Sequence, residues 1–196
     1  MENMKIFDRY TSEGVVVNDL GLKPYINLKE KLVLKSHGRH SGKFGSEKIN
    51  IVERLSLLIG VPGHRGKKHK IQTSWASGKY TKNMRLVLDA FKILEKSGNP
   101  IQILVTAIEN SSPCDEVTTI EYGGARYPQA IDVAPMRRIN LALRNIVHGA
   151  YDKAFSKKTK MYQALANELL MASQGNNEAF AVQKKVETEK QADSAR

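Results

Sequence analysis

The sequence predicts a mainly α-helical domain that carries a protruding β-hairpin and is preceded by an extended, basic N-terminal arm. Three observations lead there. After Asn50, apolar residues recur at helical spacing in successive stretches. Residues 117–133 change to period two around a Gly-Gly pair. Residues 1–34 show no long helical period and are punctuated by Asp19, Gly21 and Pro24.

Taken in order, residues 35–48 are rich in Gly and Ser and basic. They have too little apolar content for a core of their own and are expected to order on a partner. The chain therefore divides into an arm with a basic loop, 1–49, and a helical domain, 50–196. A helix starts near Asn50, with Ile51, Leu55 and Leu58 on one face, and Gly60-Val-Pro-Gly ends it. A second basic loop, 63–80, contains Trp75 and Tyr80. Thr81 is the expected N-cap of the next helix, whose stripe is Met84, Val87, Phe91 and Leu94. Asn99-Pro100 supplies an N-cap and an N1 proline for a third helix, with Ile101, Leu104, Val105 and Ile108 inward. The hairpin follows, turning at Gly123-Gly124, and Pro128 limits its second strand to an edge. Such a hairpin has no further sheet to join, so it should project. Pro135 opens a fourth helix with Met136, Ile139, Leu143, Ile146 and Val147 on one face and Arg137, Arg144 and His148 on another. Two more helices are expected at about 159–174 and 177–192, separated by Gly175, and the last should fray at its end.

Charge points to the partner. The 196 residues carry 31 Lys/Arg against 20 Asp/Glu, a net charge of +11. The excess is segregated. Residues 35–85 hold twelve basic and two acidic side chains, and 126–160 hold eight and two, whereas 86–125 hold two and six. Segregated positive charge is the footprint of a polyanion binder. The single cysteine, Cys114, allows no internal disulfide and fits a reducing cytoplasm. No apolar run approaches the ~20 residues of a membrane span, and the start lacks the apolar stretch of a signal peptide.

Little in the sequence suggests catalysis. Five residues separate Gly60 from Gly66 and Lys-Lys follows, which misses the phosphate-loop spacing, and the segment follows a helix instead of a strand. His37, His40, His64 and His69 lie amid dense positive charge without cysteine partners, so phosphate contact suits them better than metal. Glu53, Asp89, Glu95 and Glu109 sit in amphipathic helices with no sign of a paired acid and base. No enzyme activity, cofactor or metal is expected. The glycine-interleaved basic loops instead suit phosphate, and Phe44, Trp75 and Tyr80 could stack on unpaired bases.

Four motifs carry a family likeness: Asn50-Ile-Val-Glu-Arg-Leu, Asn99-Pro-Ile-Gln-Ile-Leu-Val-Thr-Ala-Ile-Glu-Asn, Gly123-Gly-Ala-Arg-Tyr and Asp132-Val-Ala-Pro-Met-Arg-Arg. The chain resembles small-subunit ribosomal protein seven, in register from about residue 18 to Arg196, and departs from the family pattern at 59–80. The arm from Ile26 to Gly42 and the Ser-Ala-Arg ending resemble the archaeal and eukaryotic branch, with the compact archaeal form the better match. The resemblance implies a bundle of about six helices and a structural role in translation. It implies binding to the 3′ major domain of small-subunit ribosomal RNA (rRNA), nucleation of head assembly, and a place near the mRNA exit and the E-site transfer RNA (tRNA). Neighbouring head and platform ribosomal proteins are implied partners. It further implies RNA contact by Lys35, Arg39, His40, Lys43 and Lys48 and by Lys82 and Arg85, while in the departing loop RNA contact by Arg65, Lys67, Lys68, Lys70 and Lys79 is expected from charge alone. Arg126 and Tyr127 at the hairpin tip, and Arg137, Arg138 and Arg144 on the following helix, complete the implied surface.

Overall fold

A computed structural model of the chain describes residues 5–61 and 78–196. Six helices and one two-stranded antiparallel sheet follow in order among the described residues. They are α1 (Ile51–Gly60), α2 (Tyr80–Leu94), α3 (Pro100–Ser111), β1 (Asp115–Tyr122), β2 (Ala125–Asp132), α4 (Pro135–Ala154), α5 (Met161–Ser173) and α6 (Phe180–Asp193). The mainly α fold with a hairpin is the one the periodicities predict.

Local chemistry explains most boundaries. The side chain of Asn50 accepts from the Val52 N–H and that of Asn99 accepts from Ile101, so both are N-caps, the second followed by Pro100 at N1. After α5 the Asn176 N–H donates to the Met171 carbonyl and the Gly175 N–H to Ala172. This is a Schellman closure with Gly175 at φ +67°, a conformation costly for any residue with a side chain. Two expected starts move. α2 begins at Tyr80 with Lys79 before it, ahead of Thr81. α6 begins at Phe180, later than 177, because Asn176 captures the Glu178 N–H in a local turn.

The core lies where α5 packs against α2, α3 and α4, with α1 covering α2 and α4. Leu165 and Leu169 of α5, Phe91 of α2 and Leu104 of α3 are fully buried, each such side chain stabilising by about 1.5–3 kcal/mol. Ala164, Ala166 and Ala172 keep α5 slim enough to be surrounded. The expected stripes are buried, with Leu58 and Met136 half-exposed at their margins. His148 differs. It shares a face with Arg137 and Arg144 yet is buried, because the C-terminal half of α4 is enclosed on more sides, as the buried Gly149 and Ala150 beside it show.

Fully buried Glu168 of α5 organises the junction of α4, α5 and α6. Lys153 Nζ of α4 donates to Glu168 Oε2 at 2.6 Å, and the Ala181 N–H of α6 donates to Oε1 at 3.2 Å. Ala179, at the N-cap of α6, has no side-chain oxygen to offer, so Glu168 satisfies an N–H of that helix start from another element. Gly149 makes room for it, since a Cβ there would lie 2.7 Å from Glu168 Oε1.

The described residues before α1, 5–50, form no helix beyond short 3-10 turns at Lys23–Tyr25 and Gly45–Lys48. They lie on the bundle, with Ile6, Leu22 and Leu34 buried in the same core as α1 to α6. Gln102 of α3 holds Val16 at both its N–H and its carbonyl, and Glu109 accepts from the N–H groups of Asn18 and Asp19. Residues 35–48, expected to take shape on a partner, already close into turns here.

A candidate nucleic-acid interface

The first basic surface is built where the arm crosses the start of α1. Two asparagines tie the strands of chain together. Asn27 Nδ2 donates to the Lys48 carbonyl at 2.7 Å, and Asn50 Nδ2 donates to the Lys29 carbonyl at 3.0 Å. The Ile51 N–H donates to the Asn27 carbonyl, completing a short parallel bridge. The Ser36 N–H donates to buried Glu53 of α1 at 2.6 Å and anchors the next loop. The outcome is an open groove of about 760 Å³ lined by Lys29, Lys31, His40 and Lys48, with Glu47 as its acid. A smaller recess continues it toward Lys35 and Ser36. Asparagine and backbone bonds hold the groove walls while the lysine side chains stay exposed, which suits the backbone of a polyanion.

Of the predicted RNA-facing residues in the first basic block, Lys35, Arg39, Lys43, Lys48, Lys79, Lys82 and Arg85 are exposed and His40 is half-buried, and Lys35, His40 and Lys48 line the groove and its recess. Lys35 lies 5.5 Å over the Tyr80 ring and Lys43 lies 5.4 Å over Phe44. Phe44 is 62% exposed, and its φ of +60° turns it outward beside the lysines, where it can stack on a base. Tyr80 is half-buried, so it offers less surface than Phe44, and the same burial raises the pKa of its phenol. Trp75, Arg65, Lys67, Lys68 and Lys70 lie outside the described residues.

The groove adds Lys29 and Lys31, which charge counting misses because residues 1–34 are balanced. It also removes one cation from the exposed set. Arg54, within the first basic block, is buried and donates to the Tyr25 carbonyl and to Asn140 of α4. Burial pushes its guanidinium down to about 10, so it remains charged at neutral pH while fastening the arm.

The hairpin carries the start of the second basic block. Both turn glycines have positive φ, +58° at Gly123 and +83° at Gly124, as a two-residue type I′ turn requires. Arg126 and Tyr127 sit next to the turn and are exposed, with Arg126 within 3.7 Å of Glu121. Tyr127 faces Ile120 across the strands, and Tyr122 lies two residues on, so three exposed apolar side chains share one face of the hairpin.

The three arginines of α4 separate. Arg144 is exposed. Arg137 is exposed but grips Glu116 through two bonds, at 2.6 and 2.8 Å, and that bonding holds its pKa above the usual arginine value. Arg138 is 15% exposed and donates to Asp19 of the arm and to Ser112. Its geometry fits fastening the arm better than meeting RNA. Beyond α4, Lys157, Lys158 and Lys160 are exposed, and they fall in the second basic block, where no motif singles them out.

Among the described residues no group of three or more His, Cys, Asp and Glu is placed to hold a metal, and no helix is long and apolar enough to cross a membrane. Fold and surface together describe a class: a helical scaffold with exposed basic loops and a projecting hairpin. The chain belongs to the family described as ribosomal protein S7p/S5e, whose model matches residues 25–196. Relatives named small ribosomal subunit protein uS7 are 44% identical in Nanoarchaeum equitans and 41% in Methanosphaera stadtmanae, each over 98% of this chain and 99% of the relative. A third, in Picrophilus torridus, is 39% identical over 97% of this chain and 98% of its own length. The family and these archaeal relatives are those the sequence motifs point to, and the family is structural, not enzymatic.

Proposed function

We propose that this chain is a structural constituent of the small ribosomal subunit in the cytoplasm. It binds the 3′ major domain of the rRNA, nucleates assembly of the head, touches neighbouring head and platform proteins, and lies near the mRNA exit and the E-site tRNA. Likeness over almost the whole chain to proteins named small ribosomal subunit protein uS7 carries this reading. The geometry supports it by supplying a mechanism. Exposed lysines around the groove give affinity through phosphates, and the preformed shape of arm, groove and hairpin selects folded RNA over other polyanions.

The test compares a 3′-domain rRNA fragment with an unrelated RNA of equal length and with duplex DNA. Tighter binding of the fragment, falling steeply as salt rises, is expected. Equal affinity for all three would reduce the protein to a non-specific nucleic-acid binder.

The hairpin has a separable role. Deleting residues 120–127 should leave the helical circular dichroism and incorporation into the head intact while disturbing the handling of tRNA or mRNA, because all of these residues are exposed. Loss of helical signal in the deletion would make the hairpin part of the folding core.

A further inference from the structure

The hairpin is a lever whose base packs against α6 and whose outer part is free of the bundle. Residues 119–129 are exposed while 115–118 are half-buried against α6, so its direction is set at the root. There the Val133 N–H donates to the Cys114 carbonyl at 2.7 Å and closes the two strands. The first two residues of β1 are both acidic, Asp115 and Glu116, and neighbours in a strand point to opposite faces. Each carboxylate meets an arginine from a different helical region. Glu116 takes the two bonds from Arg137 of α4. Asp115 takes a 2.7 Å bond from Arg196, just beyond α6, and Glu189 of α6 accepts the Cys114 N–H at 3.0 Å.

The root would be unfavourable without such partners. Asp115 lies directly opposite Asp132 in the ladder, and like charges facing across strands repel. Arg196 neutralises one of them. Arg196 also lies 3.8 Å from Asp193 at the end of α6.

We propose that Arg137 and Arg196 are positioning residues: two stays on opposite faces of the hairpin root that together fix the direction in which its tip points. The two acids hold the strand side of each pair with side chains 20% and 17% exposed, while the arginine ends are 60% and 57% exposed. The stays are therefore reachable by salt and by competing anions. An eight-residue strand is roughly 26 Å long at about 3.3 Å per residue, so a turn of about 15° at the root moves the tip by roughly 7 Å.

The stays act in the free protein, apart from any RNA contact. Spin labels at Ala125→Cys on the tip and Asn167→Cys on α5, in a Cys114→Ser background, report the tip-to-bundle distance by double electron–electron resonance. A single narrow distribution is expected for the parent. Arg137→Glu and Arg196→Glu should each shift or broaden it by roughly 5 Å or more at unchanged helical signal. Exchanging the pair as Asp115→Arg with Arg196→Glu should return it toward the parent. A salt series on the labelled parent needs no arginine variant to fold, and raising ionic strength from about 0.05 to about 1 M should broaden the distribution as the exposed pairs are screened. Distributions that stay narrow and unshifted in both glutamate variants, or across the salt series, would overturn the proposal.

Discussion

Replacing Lys153 with methionine is expected to destabilise the protein by about 3 kcal/mol, because it leaves the fully buried Glu168 carboxylate without its counter-charge. Removing one partner of a buried pair costs about 3–5 kcal/mol, and the low end applies because the Lys153 side chain is 35% exposed, so water can reach the vacated end. Glu168 also stands in for the missing cap of α6 through the Ala181 N–H, so the loss should spread to that helix. The double change Lys153→Met with Glu168→Gln should recover much of the stability, since a neutral amide oxygen can still accept from Ala181 without a buried charge. Urea unfolding of the two variants and the parent measures the coupling. A Lys153→Met variant within about 0.5 kcal/mol of the parent would mean that the carboxylate is solvated in the folded protein.

The second large effect concerns RNA. Changing Lys29, Lys31 and Lys48 together to alanine is expected to flatten the dependence of rRNA-fragment affinity on salt. The slope of log K against log salt should fall by roughly 2 to 3, close to one for each phosphate no longer neutralised. The control removes three lysines elsewhere, Lys92, Lys96 and Lys184, which lowers net charge equally and spares the groove. Fluorescence titration at several salt concentrations, with circular dichroism to confirm folding, separates the two. Equal flattening in both triple variants would mean that total charge matters and the groove does not.

The legible parts of this molecule are those set by neighbours in sequence. Asn50 and Asn99 announce their helices because a cap needs one side chain and the next two residues. Gly123-Gly124 announces the hairpin because its turn needs two residues at positive φ. The apolar stripes of α2 and α3 are buried as their spacing implies. What stayed hidden depends on which elements meet. Arg138 reads as RNA-facing charge until the arm is seen lying on α4, where it is a fastening, and Arg54 counts toward the first basic block although it is buried against the arm. Lys29 and Lys31 vanish in a segment of balanced charge, and gain meaning when Asn27 and Asn50 bring that segment beside Lys48. The start of α6 has no local cap signal because its acceptor comes from Glu168 on another helix. His148 follows the polar face of α4 by spacing and is buried by helices that its own segment does not encode.

Whether the chain stays with small ribosomal subunits through a high-salt wash bears most directly on its proposed role. Lysate from cells producing a tagged copy is sedimented before and after washing. The protein is expected to remain in the small-subunit fraction after washing, because a docked shape of arm, groove and bundle holds it in addition to phosphate contacts. Release of the protein into the supernatant at salt concentrations that leave the subunits intact, or its even distribution over all RNA-containing fractions, would contradict that role.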